Sequence, residues 1–347
     1  MLSFILRPGT AGGANEDYRR SARLHRRGCK RRDSMVAGAR AQQPDRKRRI
    51  GVLVGLPAND SVGAAEMAAF LQALGKLGWT AGRNIEVAYR WAGTDMDRIQ
   101  SFAQELVELR PDVLLARTTP AVGALVRETS TIPIVFTVVT EPIVSGFMTS
   151  LARPGGNVTG FANVEPSIAG KWVELLKEMA PSVARVGILY NPMTAPYAGP
   201  FLRSAEAAAA SLAMELLILP VHSDAEIKGA VAALAETPSG LVGMTDSFIN
   251  EHRKTIIEAA QQYRLPAIYS FHWYAADGGL ISYGADVVDM FQRAAAYVDR
   301  ILRGEKTGNL PVQQPTKFTL VINLKTARAL GLTVPPTMLM RVDQVIE

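Results

Sequence analysis

Residues 50–78, IGVLVGLPANDSVGAAEMAAFLQALGKLG, hold an apolar run, a polar loop and an amphipathic helix in that order. Residues 50–56 are apolar apart from Gly51 and Gly55, the pattern of a strand buried on both faces, and close packing explains the glycines better than a phosphate cradle does. Asn59 and Asp60 then make a polar loop. Met67, Phe70, Leu71, Leu74 and Leu77 follow on one helical stripe, which Gly78 ends. A buried strand followed by a helix is one βα unit, and repeating it builds a parallel sheet covered by helices.

The unit recurs at once. Residues 85–91 alternate like a strand, Asp95 or Asp97 can cap a helix carrying Ile99, Phe102, Leu106 and Leu109, and Pro111 stops it. Residues 113–116 are a short buried strand, and Thr118-Thr119-Pro120 predicts an N-cap followed by proline in the first helical turn. The next strand spans 132–139 and ends at Thr140-Glu141-Pro142. A helix to about Leu151, a Pro154-Gly155-Gly156 turn and a strand around Val158 are expected after it. The rhythm then restarts with a helix over 167–179 and a strand over 184–190. Further strands fall at 215–219, 241–244, 267–270 and 280–283, with a long helix over 287–302 and a last strand at 318–322.

The fold class is therefore α/β, and 347 residues suit two Rossmann-like lobes better than one. The expected division places residues 50–162 with about 285–312 in an N-terminal lobe, and 163–284 with about 313–347 in a C-terminal one. Chain crossings near 160, 285 and 315 would allow a hinge.

Composition narrows the function. Hydrophobic residues make up 48% and charged residues 20%, enough for packed cores. The formal charge of +6 resembles a nucleic-acid signal until it is divided, because residues 1–49 carry 14 of the 38 basic residues and the body is left net negative. No stretch approaches the roughly 20 apolar residues of a membrane span. Cys29 is the only cysteine, so neither an intramolecular disulfide nor a multi-cysteine metal site can form. No G-x-G-x-x-G, P-loop, G-x-S-x-G elbow or paired His-Glu ligand spacing is present, and the four histidines are scattered. Neither a cofactor nor a catalytic constellation is expected.

Polar residues do recur at the carboxyl ends of successive strands, where open α/β sheets bind ligands. They are Asn59 and Asp60, Thr118 and Thr119, Thr140 and Glu141, Asn191, Asp246 and Ser247, and Tyr269. Any one of them can be a helix cap or turn residue, and their shared location is what favours binding. The helix after Thr118-Thr119-Pro120 offers free N–H donors to a carboxylate, and Asp246 can receive an ammonium or hydroxyl. Tyr197, Tyr269, His272, Trp273, Tyr274 and Tyr283 are candidate cleft aromatics.

Several stretches carry a family resemblance: RRIGVLVGLPAND, LGWTAGRNIEVAYRWA, IPIVFTVVTEPIVSGFMTSLARPGGNVTGF, GKWVELLKEMAP, FLRSAEAAA, GGLISYGAD, RAAAYVDRILRGEK and LPVQQPTKFTLVINLKTARALGLTVPPT. From about residue 50 to 347 the chain resembles the ABC-transporter substrate-binding proteins of the tryptophan-binding-like group. The resemblance implies a type I periplasmic-binding fold, with a cleft between lobes that closes on a small organic ligand, an amino acid or another carboxylate. It carries ligand contacts onto Thr118, Thr119, Glu141, Asn191 and Asp246, and onto Tyr197, Tyr269 and Gly284. It also implies a periplasmic monomer that serves an ABC permease and ATPase, binds no nucleic acid and catalyses nothing.

The family opens with an export signal, whereas here only Ala39-Arg40-Ala41 before Gln42 has the look of a cleavage site. Arg31-Arg32-Asp33 is similar to a twin-arginine opening, but no apolar run follows. Residues 1–49 are accordingly expected to be a disordered or aberrant export-signal region, the part before about Ala39 a product of a frameshift or wrong start, and residues 1 to about 45 disordered and dispensable to the fold. Two other readings remain at this point. The ligand-sensing domain of a LacI-like regulator has the same fold but needs a helix-turn-helix ahead of Ile50, and an α/β enzyme needs the absent motifs.

Overall fold

A computed structural model describes residues 46–347. The expectations for residues 1–45, Cys29 and the export-signal region among them, lie outside the described residues.

The first half runs β1 (Arg48–Val54), α1 (Ser61–Lys76), β2 (Ile85–Trp91), α2 (Met96–Glu108), β3 (Val113–Arg117), α3 (Thr119–Glu128), β4 (Ile134–Val139) and β5 (Val158–Ala162). There follow α4 (Ile168–Met179), β6 (Arg185–Tyr190), α5 (Ala198–Ser211), β7 (Glu215–Pro220), α6 (Asp224–Leu234) and β8 (Ser239–Gly243). Next come α7 (Ser247–Glu251), α8 (Arg253–Gln262), β9 (Ala267–Tyr269), α9 (His272–Ala276) and β10 (Ile281–Ala285). The tail is α10 (Val287–Leu302), β11 (Phe318–Asn323), α11 (Leu324–Ala329), α12 (Pro336–Leu339) and β12 (Gln344–Ile346).

Two sheets result. The first, ordered β2-β1-β3-β4-β5, is wholly parallel. The second, β12-β11-β10-β9-β8-β6-β7, contains the same arrangement in β7-β6-β8-β9-β10. In each lobe the strand order reverses between two neighbouring strands, β1 and β3 or β6 and β8, and the loops leaving those strands splay apart to leave a crevice. Asp60 and Thr118 follow the first pair, Asn191 and Asp246 the second.

Each sheet is covered on both faces. Helices α1 and α10 pack together on one face of the first sheet, burying Phe70 and Leu74 with Phe291 and Val298, while α2 and α3 cover the other. On the second sheet α4 and α5 lie on one face, with Trp172 Nε1 donating to the Tyr283 carbonyl at 2.7 Å, and α6 and α8 on the other. One apolar cluster runs from the first sheet into the second.

The chain passes between the sheets three times. It leaves the first after Ala162, returns after Ala285 as α10, and leaves again through residues 310–317. On that last passage Gln313 donates to the Gly160 carbonyl at 2.9 Å and accepts from Ala162 N–H at 2.8 Å.

Two expectations are corrected. No helix spans 143–151: one turn closes with Ser145 N–H on the Glu141 carbonyl, but Glu141 (φ 48°) and Gly146 (φ 76°) are left-handed and the coil goes no further. Nor is the second sheet all parallel, because β11 arrives from the first lobe and pairs antiparallel with β10, Tyr283 opposite Leu320. Only three residues of β12 then add to its edge.

Candidate functional site

The carboxyl ends of β3 and β4 face those of β8 and β9 across a narrow cleft. Arg117, Thr118, Thr119, Pro120, Val138 and Thr140 form its first-lobe wall. The second lobe supplies Tyr197, Thr245, Asp246, Ser247, Asn250 and Phe271. The cavity between them is about 20 Å³, space for about one water, so the lobes are closed on each other.

The first-lobe wall is locally strained. Thr118 (φ 89°) and Val138 (φ 54°) are non-glycine residues with positive φ, and Val138 sits where the pairing of β4 with β5 shifts register. A β-branched residue at positive φ costs energy, and strain of this kind gathers where a site dictates the backbone path. At Gly55, after β1, an added Cβ would lie 2.4 Å from Thr118 Oγ1, so the close approach of the β1 and β3 loops requires glycine there.

Thr118 stands at the N-cap of α3, yet no side chain caps this helix, and Pro120 brings no N–H. The capping explanation of Thr118 and Thr119 therefore fails. Thr119 Oγ1 instead accepts from Thr140 N–H at 3.3 Å, and the hydroxyls of Thr119 and Thr140 flank that of Tyr197. The Tyr197 hydroxyl donates to the Thr245 carbonyl at 2.8 Å, and burial raises its pKa. Thr118 Oγ1, Ser247 Oγ and Asn250 Nδ2 are buried on the walls without a hydrogen-bond partner among the described residues. Such groups are costly unless something satisfies them.

Asp246 does cap a helix, α7. Its Oδ1 accepts from Phe248 N–H at 3.0 Å and from the Thr194 hydroxyl, and its Oδ2 from Asn191 N–H at 2.7 Å. Burial pushes the carboxyl up to about 6 despite these donors.

The remaining expected residues do not line this cleft. Asn191 turns the chain beneath Asp246, its Oδ1 taking Met193 N–H at 2.8 Å. Asp60 caps α1 through Val62 and Gly63 N–H and meets Arg253 of the second lobe at 2.9 Å. Asn59 is exposed beside it. Glu141 is half-buried, and its carboxyl is raised by burial and by Glu165. Tyr269 stacks on Tyr274 at 4.7 Å within the core, because its strand turns that ring toward α8. Gly284 lies in β10 against the Ser270 carbonyl.

Arg117, Val138, Thr245, Asn250 and Phe271 went unread in the sequence. Only Arg117 left a signal, as a cation ending the apolar strand VLLAR one residue before Thr118. Its Nε and Nη2 bind the Glu66 carboxylate at 2.6 and 3.0 Å, and the side chain is 2% exposed.

Residues 50–346 match the ABC transporter substrate binding protein family. The chain belongs to that family. A Clostridioides difficile relative described as a tyrosine-binding protein is 28% identical over 310 residues, 88% of each chain. A conserved domain protein from Vibrio cholerae superposes with a TM-score of 0.80 at 30% identity, over 86% of this chain and 100% of the other. The Streptococcus pneumoniae ABC domain in complex with L-Trp gives a TM-score of 0.78 at 25% identity, over 87% and 100%.

The protein is thus the substrate-binding component of an ABC transporter with the type I periplasmic-binding fold, and the regulator reading is set aside. Proteins of this family work outside the cytoplasm, and no helix among the described residues is long and apolar enough to cross a membrane.

Proposed function

We propose that this substrate-binding protein captures an aromatic α-amino acid in the periplasm and delivers it, as a monomer, to an ABC permease and ATPase, with no chemistry of its own. The observation that carries the reading is the uncapped start of α3 in a cleft walled by both lobes, set opposite the Asp246 carboxylate. The helix end suits a carboxylate, Asp246 suits an ammonium, and the Phe271 ring, stacked on Trp273 at 4.4 Å, suits an aromatic side chain. Relatives described as binding tyrosine and L-Trp support the choice. A lobe of residues 50–162 with 285–312 would hinge on one of 163–284 with 313–347. A cavity of about 20 Å³ must open to admit such a ligand. Calorimetry over amino acids, purines, sugars and aromatic acids tests the assignment, with scattering to follow closure; saturation by a sugar and not by any amino acid would overturn it.

Thr119→Ala is expected to weaken binding by about one to two decades, the worth of a hydroxyl contact to a charged group at roughly 1.5–3 kcal/mol. Stability should also fall, because the buried Thr140 N–H loses its acceptor. Lowered stability with unchanged calorimetric affinity would move the carboxylate away from α3.

Affinity should also fall as pH drops through about 6, where Asp246 takes up a proton and its attraction for the ligand ammonium is lost. The Tyr197 and Tyr274 phenols are held above their ordinary range by burial, and Asp277 and Asp60 hold the Arg253 guanidinium above its own, so none of them titrates there. Burial lowers the His272 pKa, and its protonation would affect any carboxylate ligand alike. Titrating an amino acid beside its α-hydroxy acid separates the two groups: parallel curves would exclude Asp246.

A further inference from the structure

We infer that Arg117 is the cation that reads the ligand carboxylate, with Glu66 as the residue that positions it; this rests on the amino-acid reading above. Arginine has five N–H donors, and the bidentate pair with Glu66 occupies only the Nε and Nη2 side of the guanidinium. Nη1 makes no hydrogen bond among the described residues. Nor is it among the sealed, unsatisfied polar atoms, although the whole side chain is 2% exposed. Arg117 lines the cleft, and Nη1 is the guanidinium nitrogen that Glu66 leaves unoccupied.

A purely structural origin for the pair is weak. Burying two ions is costly, and an apolar pair of similar volume would hold β3 to α1 as well or better. What the ion pair adds is a guanidinium fixed in one orientation at the cleft wall. Glu66 is anchored in α1, whose N-cap is Asp60, and pairs with Arg117 without itself lining the cavity. The fork is thereby locked before any ligand arrives, which lowers the ordering cost of binding.

The surroundings suit a carboxylate in particular. Arg117 ends β3, Thr118 and Thr119 follow it directly, and α3 begins there with no side-chain cap. A planar acceptor reaching Nη1 would therefore also meet the positive end of a ten-residue helix. Glu66 neutralises the guanidinium overall, so a free inorganic anion gains little, while a ligand that also carries an ammonium toward Asp246 leaves the closed cleft balanced. The ligand class assigned is the zwitterionic α-amino acid, as against its amide, ester or decarboxylated amine.

The test compares L-tryptophan and L-tyrosine with their primary amides, by calorimetry on the full chain. Wild type should prefer the acid by about tenfold to a hundredfold. In Arg117→Gln that ratio should fall to about one. Because Arg117→Gln leaves Glu66 buried alone, the charge-free pair Glu66→Gln/Arg117→Gln serves as the second variant, with the same ratio expected. Glu66→Gln alone should weaken binding of the acid by about tenfold while keeping some acid preference, as a positioning role requires. An undiminished acid-to-amide ratio in the folded double variant overturns the assignment of Arg117. Failure of wild type to bind either amino acid overturns the functional reading instead, so the two failures are distinct.

Discussion

Replacing Arg253 by methionine is expected to weaken ligand binding by about tenfold to a hundredfold, chiefly by faster release. Arg253 begins α8 in the second lobe, and its Nη1 lies 2.9 Å from Oδ2 of Asp60, the N-cap of α1 in the first. Both side chains are nearly sealed, at 8% and 7% exposed. That contact can exist only while the lobes are together. Breaking one partner of a buried pair costs about 3–5 kcal/mol, because the surviving charge stays desolvated. Opening the cleft returns Asp60 to water, so most of the penalty falls on the closed, ligand-holding state. A loss of 1.4–2.8 kcal/mol corresponds to the stated range. It should appear in the dissociation rate, as truncating a buried interfacial charge usually does. Asp60→Asn should be milder, since its Oδ1 can still cap Val62 and Gly63. Stopped-flow release of the bound ligand measures the effect. Unchanged release together with a lower melting temperature would mean that the pair only stabilises the fold.

The same Asp60 shows what a sequence can and cannot reveal. Its place after a buried strand and before an amphipathic helix was legible, and the cap on α1 is there. Its second role depends on Arg253, 193 residues away, and no local pattern reports that meeting. Strands such as β2 and helices such as α10 were read to the residue, because period and breakers act within a few residues of chain. Thr118, Thr119, Thr140 and Asp246 reached the cleft because parallel topology alone delivers strand ends to one edge. Asn250 and Phe271 reached it through the short helix α7 and the β9–α9 turn, where no hydrophobic period exists to follow. Tyr269 was drawn into the expected site by its strand-end position. Which face its ring takes is decided by Gly243 and Gly279, whose missing side chains leave room for it in the core.

Gly284→Ala is expected to cost at least about 3 kcal/mol of stability, at the upper end of what overpacking does, with little selective effect on ligand affinity. A Cβ at position 284 would lie 1.7 Å from the Ser270 carbonyl oxygen and 2.8 Å from its carbon. Both are backbone atoms, so no rotamer change relieves the collision. β10 would have to shift away from the end of β9, while its other edge is held by β11 through the pairing of Gly284 with Thr319. The neighbouring carbonyl of Tyr283 also receives Trp172 Nε1 from α4 at 2.7 Å, so the displacement would reach the helix layer. Gly75→Ala is the contrasting substitution. It is exposed in α1 with nothing within 4 Å of an added Cβ, and should gain about 0.5–1 kcal/mol by restricting the unfolded chain. Urea unfolding of both variants beside wild type gives the two signs. A Gly284→Ala protein as stable as wild type but unable to hold an amino acid would show that position 284 is kept open for the ligand rather than for Ser270.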